Sequence, residues 1–397
     1  MHYYRNLSKS LIHYLKKYPI ITITGPRQSG KTTLAQKTCP NYEYITLEDL
    51  DNREFATSDP RGFLKKYANN VIIDEAQNAP DLFSYLQGNV DKDPTPGRFI
   101  LTGSEQFSLN AKISQTLAGR IARLTLLPLS MAELEQRDFQ KLWHNNSVQE
   151  FPPPSQDLFY YLYNGLYPRL YKYNLDPKQF FRDYINTYVT KDLQELIHVS
   201  DIKIFHNFLK MLANRAGQIV NLSSLGNDIG ISHTTIKRWL FVLESCYIIF
   251  LLRPFYKNFN KRIIKSPKIY FLDTGLLCYL LRITSAENLQ FHSQIGGIFE
   301  SFVVSELIKS YYHHDLEPTI YFWQDFSSHE IDLIVEKGEK TLPIEIKSSQ
   351  TISSKFFTNI NYFLKLNQNQ KEGFLIYGGD EWQKRHNFQI LPWYGIS

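Results

Sequence analysis

The feature that most constrains this chain is the string Gly-Pro-Arg-Gln-Ser-Gly-Lys-Thr at residues 25–32, directly after the β-branched run Ile20–Thr24. Glycines in such a strand-to-helix connection let successive backbone N–H groups turn inward around phosphate groups, and the start of the following helix favours anions. We expect Lys31 to reach the β- and γ-phosphate oxygens of a nucleotide and the Thr32 hydroxyl to coordinate Mg²⁺. The alternative interpretation of this phosphate-binding loop is a plain glycine turn. The expected nucleotide contacts are Gly25, Pro26, Arg27, Gln28, Ser29, Gly30, Lys31, Thr32 and Thr33.

A second apolar run, residues 71–73, ends in two adjacent carboxylates, Asp74 and Glu75. We expect Asp74 to bind nucleotide-associated Mg²⁺ through its water shell and Glu75 to polarise the attacking water. The alternative is a strand that ends in a solvated acidic turn. A third run ends in Thr102 and Ser104, whose hydroxyl groups stand where a polar side chain can sense the γ-phosphate.

Five short β-branched or apolar runs alternate with helical stretches in the first 130 residues, and this rhythm predicts a parallel sheet wrapped by helices. Arg120 and Arg123 stand just before the fifth run, from which a guanidinium can reach a phosphate across a subunit boundary. We therefore expect a homo-oligomer in which Arg120 acts in trans, and the alternative is an ordinary surface arginine. The five runs are residues 20–24, 44–47, 71–73, 99–101 and 124–127.

A helix-turn-helix pattern occupies residues 221–240, where two short helical stretches meet at Gly230-Ile-Ser232. We expect Ser232 to cap the second helix, which would expose side chains suited to phosphates and base edges. Those side chains are Thr234, Thr235, Lys237 and Arg238.

A basic segment follows between Ser245 and Leu272, with six basic residues and no acidic one. Beside the helix-turn-helix, such a segment predicts phosphate contacts with duplex DNA. Docking of a protein partner is an equally open alternative, because this fold is often used without DNA. The expected phosphate contacts are Lys261, Arg262 and Lys265.

Near the C-terminal end, residues 330–347 predict a hairpin that carries Asp332 on one strand and both Glu345 and Lys347 on the next. Two carboxylates with a lysine two positions after the second suit a site in which Asp332 and Glu345 bind Mg²⁺ and Lys347 orients the attacking water. Glu300 lies upstream on the apolar stripe of a predicted helix, where a buried charge requires a metal ion or a lysine. The alternative is a Glu300–Lys347 ion pair in an inert scaffold.

The amino-acid composition excludes several classes of protein. Hydrophobic residues make up 43% of the 397-residue chain and charged residues 21%, which excludes a disordered polypeptide. Three cysteines without paired spacing argue against a disulfide framework or a zinc site and favour a reducing compartment. Basic residues interrupt every apolar run near the N-terminus, so we expect a cytoplasmic protein with no membrane partner.

These motifs resemble those of the AAA-type P-loop ATPases of bacteria and archaea that carry a C-terminal domain of unknown function. The resemblance rests on GPRQSGKT, VIIDEAQ, RFILTGS, LAGRIARLTLLPLS, GGIFESFVV and EIDLIVEKGEKTLPIEIKSS. It implies an α/β fold with an AAA-like P-loop NTPase sheet, a winged-helix middle module and a restriction-endonuclease-like α/β domain at the C-terminal end. The expected domains are residues 1–140, 156–265 and 266–397.

The resemblance and the motifs together predict an ATPase that hydrolyses ATP with Mg²⁺ and drives movement of a DNA-binding winged helix and a nuclease-like domain. The alternative is a nucleotide-dependent binding switch, in which the C-terminal domain grips DNA or a protein without cleavage. The expected catalytic residues are Lys31, Glu75, Arg120, Asp332, Glu345 and Lys347.

Overall fold

The computed structural model describes residues 3–103, 117–139, 148–189, 202–255, 266–367 and 370–397. The chain folds into two units. The first unit contains Met1–Leu129, Ser245–Tyr247 and Tyr311–Glu317, and the second contains Ser130–Glu244, Ile248–Ser310 and Pro318–Ser397. Three separate stretches of sequence therefore build the first unit. The expected domain boundaries at residues 140, 156 and 266 stay a prediction.

Helices and strands alternate along the first 130 residues, as their sequence pattern predicts. In chain order the elements are α1 (Leu7–Leu15), β1 (Ile20–Thr24), α2 (Lys31–Thr38), β2 (Glu43–Thr46), α3 (Leu50–Ser58), α4 (Pro60–Lys66), β3 (Val71–Asp74), α5 (Leu82–Lys92), β4 (Phe99–Thr102) and β5 (Ile121–Thr125).

Within the described residues, β1 to β5 form one sheet in the order β2-β3-β4-β1-β5, and the recorded strand pairs are parallel. The predicted parallel sheet is thus confirmed. β5 begins at Ile121 and not at residue 124, because Ile121–Thr125 pairs in register with Ile20–Thr24. The apolar pattern missed this start because Arg123 interrupts it on an exposed position of β5.

The central strands of this sheet are buried on both faces, as expected of parallel strands that are covered by helices. Side chains alternate along a strand, so Val71 and Ile73 of β3 face one hydrophobic core while Ile72 faces the other. Parallel strands bring their carboxyl ends to one edge of the sheet. The phosphate-binding loop, Asp74 and Thr102 therefore meet at that edge.

The elements that follow residue 130 begin with helices. They are α6 (Met131–Leu134), α7 (Leu158–Asn164), α8 (Pro168–Tyr173), α9 (Pro177–Tyr184), α10 (Ile202–Ala213), α11 (Leu222–Ile229), α12 (His233–Ser245), α13 (Thr274–Leu280), α14 (Ala286–Leu289), α15 (Ile295–Tyr312) and α16 (Thr358–Leu366). Strands β6 (Ile249–Leu252) and β7 (Lys268–Phe271) form an antiparallel pair. No helix in the described part of the chain is long and apolar enough to cross a membrane.

Helices α11 and α12 match the expected helix-turn-helix pattern. Gly230 ends α11 with φ of +77°, a left-handed conformation that suits glycine. The Ser232 hydroxyl accepts a hydrogen bond from the backbone N–H of Thr235 at 3.1 Å, so it caps the first turn of α12. The winged-helix assignment as a whole stays a prediction, since residues 256–265 lie outside the described part of the chain.

A second sheet lies in the second unit. Its strands are β8 (Ile320–Gln324), β9 (Glu330–Lys337), β10 (Lys340–Lys347), β11 (Gly373–Tyr377), β12 (Gln383–Arg385) and β13 (Phe388–Pro392). Among the described residues they are ordered β12-β13-β11-β10-β9-β8. β8, β9 and β10 are antiparallel neighbours, and β11 pairs parallel to β10. The predicted hairpin turns at Gly338, whose φ is +60°.

Candidate functional site

The phosphate-binding loop connects β1 to α2 and contains two glycines with positive φ. Gly25 has φ of +145°, and a Cβ atom there would lie 2.1 Å from the carbonyl oxygen of Leu126. Gly30 has φ of +97° immediately before α2. Because a side chain is strained at either position, the two glycines set the path of the loop. Thr33 is exposed one position beyond Thr32 on α2.

Lys31 is the first residue of α2, and its side chain is buried. The Lys31 Nζ donates hydrogen bonds to the carbonyl oxygens of Gly25 at 3.0 Å and Pro26 at 2.9 Å. The ammonium group therefore lies against the carbonyl oxygens at the start of the loop. This is where the sequence predicted a cation for the nucleotide phosphates.

The Asp74 carboxylate at the end of β3 accepts hydrogen bonds from several hydroxyl groups. Thr32 Oγ1 lies 3.0 Å from Asp74 Oδ1 and 3.1 Å from Oδ2. The Tyr44 phenol donates to Oδ2 at 2.9 Å, and the Thr102 hydroxyl donates to Oδ1. Burial, followed by the charge of Asp74, raises the pKa of Tyr44 to about 12, so the phenol stays a donor at neutral pH.

The oxygen atoms of Thr32 and Asp74 fit Mg²⁺, which prefers hard oxygen ligands and a site shared with phosphates. The structure brings these two residues together as the sequence predicted. The sequence suggested Thr102 as a candidate γ-phosphate sensor, and in the structure its hydroxyl donates a hydrogen bond to Asp74. Ser104 lies outside the described residues.

Glu75 follows Asp74 with φ of +52° and ψ of +45°, a left-handed conformation that a residue with a side chain rarely adopts. The Gln77 amide donates a hydrogen bond to the Glu75 carboxylate. Sequence reasoning missed Gln77. Gln77 ends the string VIIDEAQ and lies two residues after the carboxylate in a short helical turn, Ala76–Asn78.

Arg120 is not near the phosphate-binding loop of its own unit. It precedes Ile121, whose register partner Ile20 stands at the amino end of β1, whereas the loop follows the carboxyl end. At about 3.3 Å per strand residue, the separation along the sheet is roughly 16 Å. The Arg120 guanidinium pairs with Asp91 of α5, with Nη2 at 3.0 Å from Oδ2. Action of Arg120 in trans stays a prediction.

Arg5 supports the loop from a position that the sequence did not indicate. Its buried guanidinium donates to the carbonyl oxygens of Ser29 at 2.8 Å and Leu127 at 2.6 Å. Arg5 Nη2 also lies 3.3 Å from Nε2 of His313, which belongs to the third stretch of the first unit. No local pattern links residues so far apart in sequence.

The second unit contains a group of buried and half-buried acidic and basic side chains, which we call the carboxylate–lysine cluster. Lys347 Nζ lies 2.8 Å from Glu345 Oε1 and 3.0 Å from Asp332 Oδ2. The structure therefore brings together Asp332, Glu345 and Lys347, as the hairpin pattern predicted. The members of the cluster are Lys268, Glu300, Glu330, Asp332, Glu345 and Lys347.

Sequence reasoning missed Lys268, which lies at the start of β7. Its Nζ pairs with Glu330 and lies 3.9 Å from Glu300 Oε2 and 4.0 Å from Asp332 Oδ1. The alternative, an ion pair between Glu300 and Lys347, is thus wrong. The lysine that β7 places closer to Glu300 is Lys268. Tyr270 on the same strand donates to Glu300 Oε2 at 3.0 Å.

The cluster contains two more carboxylates than lysines in the described part of the chain. Burial and the nearby charge of Asp332 raise the pKa of Glu300 to about 7 and that of Glu345 to about 8. Glu345 Oε2 is buried and has no hydrogen-bond partner among the described residues. Among the described residues, no group of three or more His, Cys, Asp or Glu side chains is arranged so that it could hold a metal ion. Metal binding by Glu300, Asp332 and Glu345 therefore stays a prediction.

Helix α12 presents basic side chains on its exposed face. Thr234, Lys237 and Arg238 are exposed, whereas Thr235 is half-buried and contacts Ser232. On the opposite face of the same helix, Ile236, Leu240 and Leu243 are buried. The other expected DNA contacts, Lys261, Arg262 and Lys265, lie outside the described residues.

Comparison with protein-family models divides the chain into three matched regions. Residues 17–135 match a model described as an AAA domain. Residues 155–287 and 295–396 match two models that are each described as a domain of unknown function. The AAA region contains the phosphate-binding loop, Asp74 and Glu75.

Relatives that match most of the chain extend this result. The chain is 31% identical over 354 residues to the uncharacterized protein Rv2008c of Mycobacterium tuberculosis and to Mb2031c of Mycobacterium bovis, covering 88% of this chain and 75% of each relative. Among solved structures, the Walker-type ATPase PABY2304 of Pyrococcus abyssi matches with a TM-score of 0.43 and 16% identity, over 70% of this chain and 95% of that one. The chain therefore belongs to the same family as these two mycobacterial proteins, and its residues 17–135 form the region that matches an AAA domain.

Proposed function

We propose that this AAA-type ATPase hydrolyses Mg²⁺-bound ATP at the site formed by Lys31, Thr32, Asp74 and Glu75. The observation that carries the proposal is the direct hydrogen bonding of the Thr32 hydroxyl to both oxygens of Asp74. These residues belong to two motifs that are 42 positions apart, and the sheet brings them to the same edge. That arrangement suits nucleotide phosphates on one side and a divalent cation on the other.

Each residue has a distinct task in this proposal. The loop N–H groups and the Lys31 ammonium bind the phosphates, while Thr32 and Asp74 hold Mg²⁺. When bound, Mg²⁺ neutralises charge on the phosphate oxygens. The Glu75 carboxylate orients the attacking water at the end of β3 and accepts a hydrogen bond from Gln77.

Two substitutions test this assignment. Lys31→Ala should abolish ATP binding, whereas Glu75→Gln should keep binding and lower hydrolysis sharply, since one residue acts on phosphate and the other on water. Equilibrium binding of labelled ATP and release of phosphate measure the two effects. Wild-type affinity in Lys31→Ala would overturn the assignment of the loop.

We also propose that the helix-turn-helix binds duplex DNA and that the nucleotide state governs this binding. Support comes from the exposed basic residues of α12, Lys237 and Arg238. An effect of ATP on the affinity for labelled duplex DNA would support this coupling. Identical affinity with ATP, with ADP and without nucleotide would refute it.

For the second unit we propose a nuclease-like site at Asp332, Glu345 and Lys347. The observation in its favour is the buried Glu345 Oε2 beside Asp332 and Lys347, which has no hydrogen-bond partner in the described part of the chain and which a divalent cation would satisfy. The order of α15, the antiparallel strands β8 to β10, α16 and parallel β11 is also consistent with a restriction-endonuclease-like fold.

A second candidate function is a binding switch whose C-terminal domain grips DNA or a protein without cleavage. Lys268 favours it, because its ammonium already lies among Glu300, Glu330 and Asp332. Incubation of wild-type protein and Asp332→Ala with duplex DNA, ATP and either Mg²⁺ or Mn²⁺ separates the candidates. Cleavage that Asp332→Ala removes, with binding retained, supports the nuclease. Binding without cleavage in both proteins supports the switch.

A further inference from the structure

Asp74 is held by hydroxyl groups from separate elements of the first unit. In the part of the chain that the structure describes, these are Thr32 of α2, Tyr44 of β2 and Thr102 of β4. A carboxylate accepts up to about four hydrogen bonds, so the hydroxyl groups leave little freedom for it to rotate.

The three hydroxyl groups do not contact the carboxylate in the same way. Thr32 Oγ1 lies between the two oxygens, at 3.0 and 3.1 Å, and it is the hydroxyl that would also ligate Mg²⁺. Tyr44 contacts Oδ2 alone, at 2.9 Å, and Thr102 contacts Oδ1 alone. Tyr44 and Thr102 therefore each hold one oxygen of the Asp74 carboxylate. Both hydrogen bonds remain if the Thr32 hydroxyl turns its oxygen toward a cation.

Besides Asp74, the Tyr44 phenol also interacts with the side chain of Thr46, two positions further along β2. It lies on β2, the edge strand of the sheet, and 40% of its side chain is exposed. Its neighbours Ile45 and Leu47 belong to the hydrophobic core of the sheet, whereas Tyr44 is not among the residues of that core. Its hydroxyl reaches Asp74 diagonally, since its own register partner on β3 is Ile72.

We propose that Tyr44 is a positioning residue that fixes the orientation of Asp74 and thereby sets the affinity of the site for Mg²⁺-bound nucleotide. The inference rests on the proposed Mg²⁺-dependent function of the same site. Hydrogen bonds to an ionised carboxylate are stronger than neutral ones, so loss of the phenol hydroxyl should weaken the Mg²⁺-dependent part of nucleotide binding about three- to tenfold. Nucleotide binding without Mg²⁺ should not change, because Tyr44 acts on Asp74 and not on the phosphates.

The test compares Tyr44→Phe with Tyr42→Phe. Each substitution removes one phenol hydroxyl, but Tyr42 donates to the carbonyl oxygen of Gly97 at 2.6 Å and does not contact Asp74. Equilibrium binding of labelled ATP is measured with EDTA and over a range of Mg²⁺ concentrations. Steady-state hydrolysis is measured at low and saturating Mg²⁺.

We expect Tyr44→Phe to require three- to tenfold more Mg²⁺ for half-maximal binding, with wild-type affinity in EDTA. Hydrolysis should recover at saturating Mg²⁺, and Tyr42→Phe should match the wild type. If wild-type binding depends on Mg²⁺ and Tyr44→Phe shows the same dependence, the role of Tyr44 is refuted while the proposed function stands. If wild-type binding is the same in Mg²⁺ and EDTA, the Mg²⁺ site and the role of Tyr44 are both refuted.

Discussion

Glu75 combines an uncommon backbone conformation with a position next to the metal-binding carboxylate of the proposed site. A residue with a side chain in the left-handed region costs on the order of 1 to 3 kcal/mol and persists only where its surroundings hold it. Here the hydrogen bond from the Gln77 amide contributes to that support. Gln77 therefore holds the side chain that we propose orients the attacking water.

At this residue scale we predict that Gln77→Ala lowers kcat for ATP hydrolysis about tenfold and changes KM less than about twofold, because it disturbs the orientation of Glu75 and not the phosphate contacts. Asn78→Ala is the matched control, since Asn78 lies in the same turn but donates to the carbonyl oxygen of Leu47. Steady-state kinetics measure both. An equal loss of kcat in the two variants would assign the effect to the turn and contradict a specific role for Gln77.

The residues that the sequence indicated and that the structure brings together at the candidate nucleotide site are those that carry a local signal. Lys31 and Thr32 stand in a fixed string, and Asp74 ends an apolar run, so spacing alone locates them. Tyr44 and Arg5 carry no such signal. Tyr44 reaches Asp74 only because β2 and β3 are neighbours, and Arg5 reaches the loop through contacts between distant segments.

At the scale of elements, the β9–β10 hairpin also contains some features that the sequence indicated and others that it did not. The sequence of residues 330–347 predicted the hairpin, with Asp332 on one strand and Glu345 and Lys347 on the next. Lys268 was missed because β7 carries it into the cluster from another part of the chain. A buried carboxylate indicates that a cation must be near, but a sequence does not say which strand provides it.

The raised pKa values of Glu300 and Glu345 predict a stability that depends on pH. Both groups hold protons in the folded protein above their ordinary pKa of 4.5, up to about 7 and 8 respectively. The folded state then binds more protons than the unfolded state, so the free energy of unfolding should fall as the pH rises from about 4.5 to 8.

Glu345→Gln should remove much of this decrease and stabilise the second unit by about 2 kcal/mol at pH 8, since the amide never ionises. Glu339→Gln, at the exposed hairpin turn, is the control. Urea unfolding followed by tryptophan fluorescence reports on this unit, which contains Trp239, Trp323, Trp382 and Trp393. A wild-type free energy of unfolding that rises between pH 5 and 8 would contradict the assignment of buried, protonated carboxylates.

Helix α12 gives a prediction for DNA binding. Replacement of Lys237 and Arg238 together by Ala should weaken binding to duplex DNA and reduce the slope of log affinity against log salt by about two, roughly one per lost phosphate contact. The control is Lys65→Ala with Lys66→Ala on α4, which removes the same charge from the exposed surface of the other unit. Fluorescence anisotropy at several salt concentrations measures the slopes. Equal losses in both double variants would point to general charge attraction and not to α12.

At the scale of the whole molecule, the position of Arg120 allows a test of whether neighbouring protomers share an ATP site. Because it lies at the edge of the sheet opposite its own phosphate-binding loop, we expect any contribution to hydrolysis to reach a neighbouring protomer. Arg120→Ala and Lys31→Ala proteins should each be inactive alone, and a mixture should recover up to about a quarter of wild-type activity through sites that combine the intact halves.

Asp91→Ala is the companion variant, because it removes the partner of Arg120 within the unit and leaves the guanidinium in place. It should retain hydrolysis. Light scattering must first establish that the two inactive proteins form mixed oligomers. Mixed oligomers without recovered activity would eliminate the shared site.

The first unit is built from three separate stretches of sequence, so it cannot be completed until the last of them has been translated. The stretch Tyr311–Glu317, which brings His313 to Arg5, is translated long after the sheet that carries the phosphate-binding loop. At 5 to 20 residues per second, the ribosome needs roughly 10 to 40 s to pass from Leu129 to Tyr311. A nascent chain therefore exposes a nearly finished nucleotide-binding sheet, with its Arg5 contact incomplete, until most of the second unit has been synthesised.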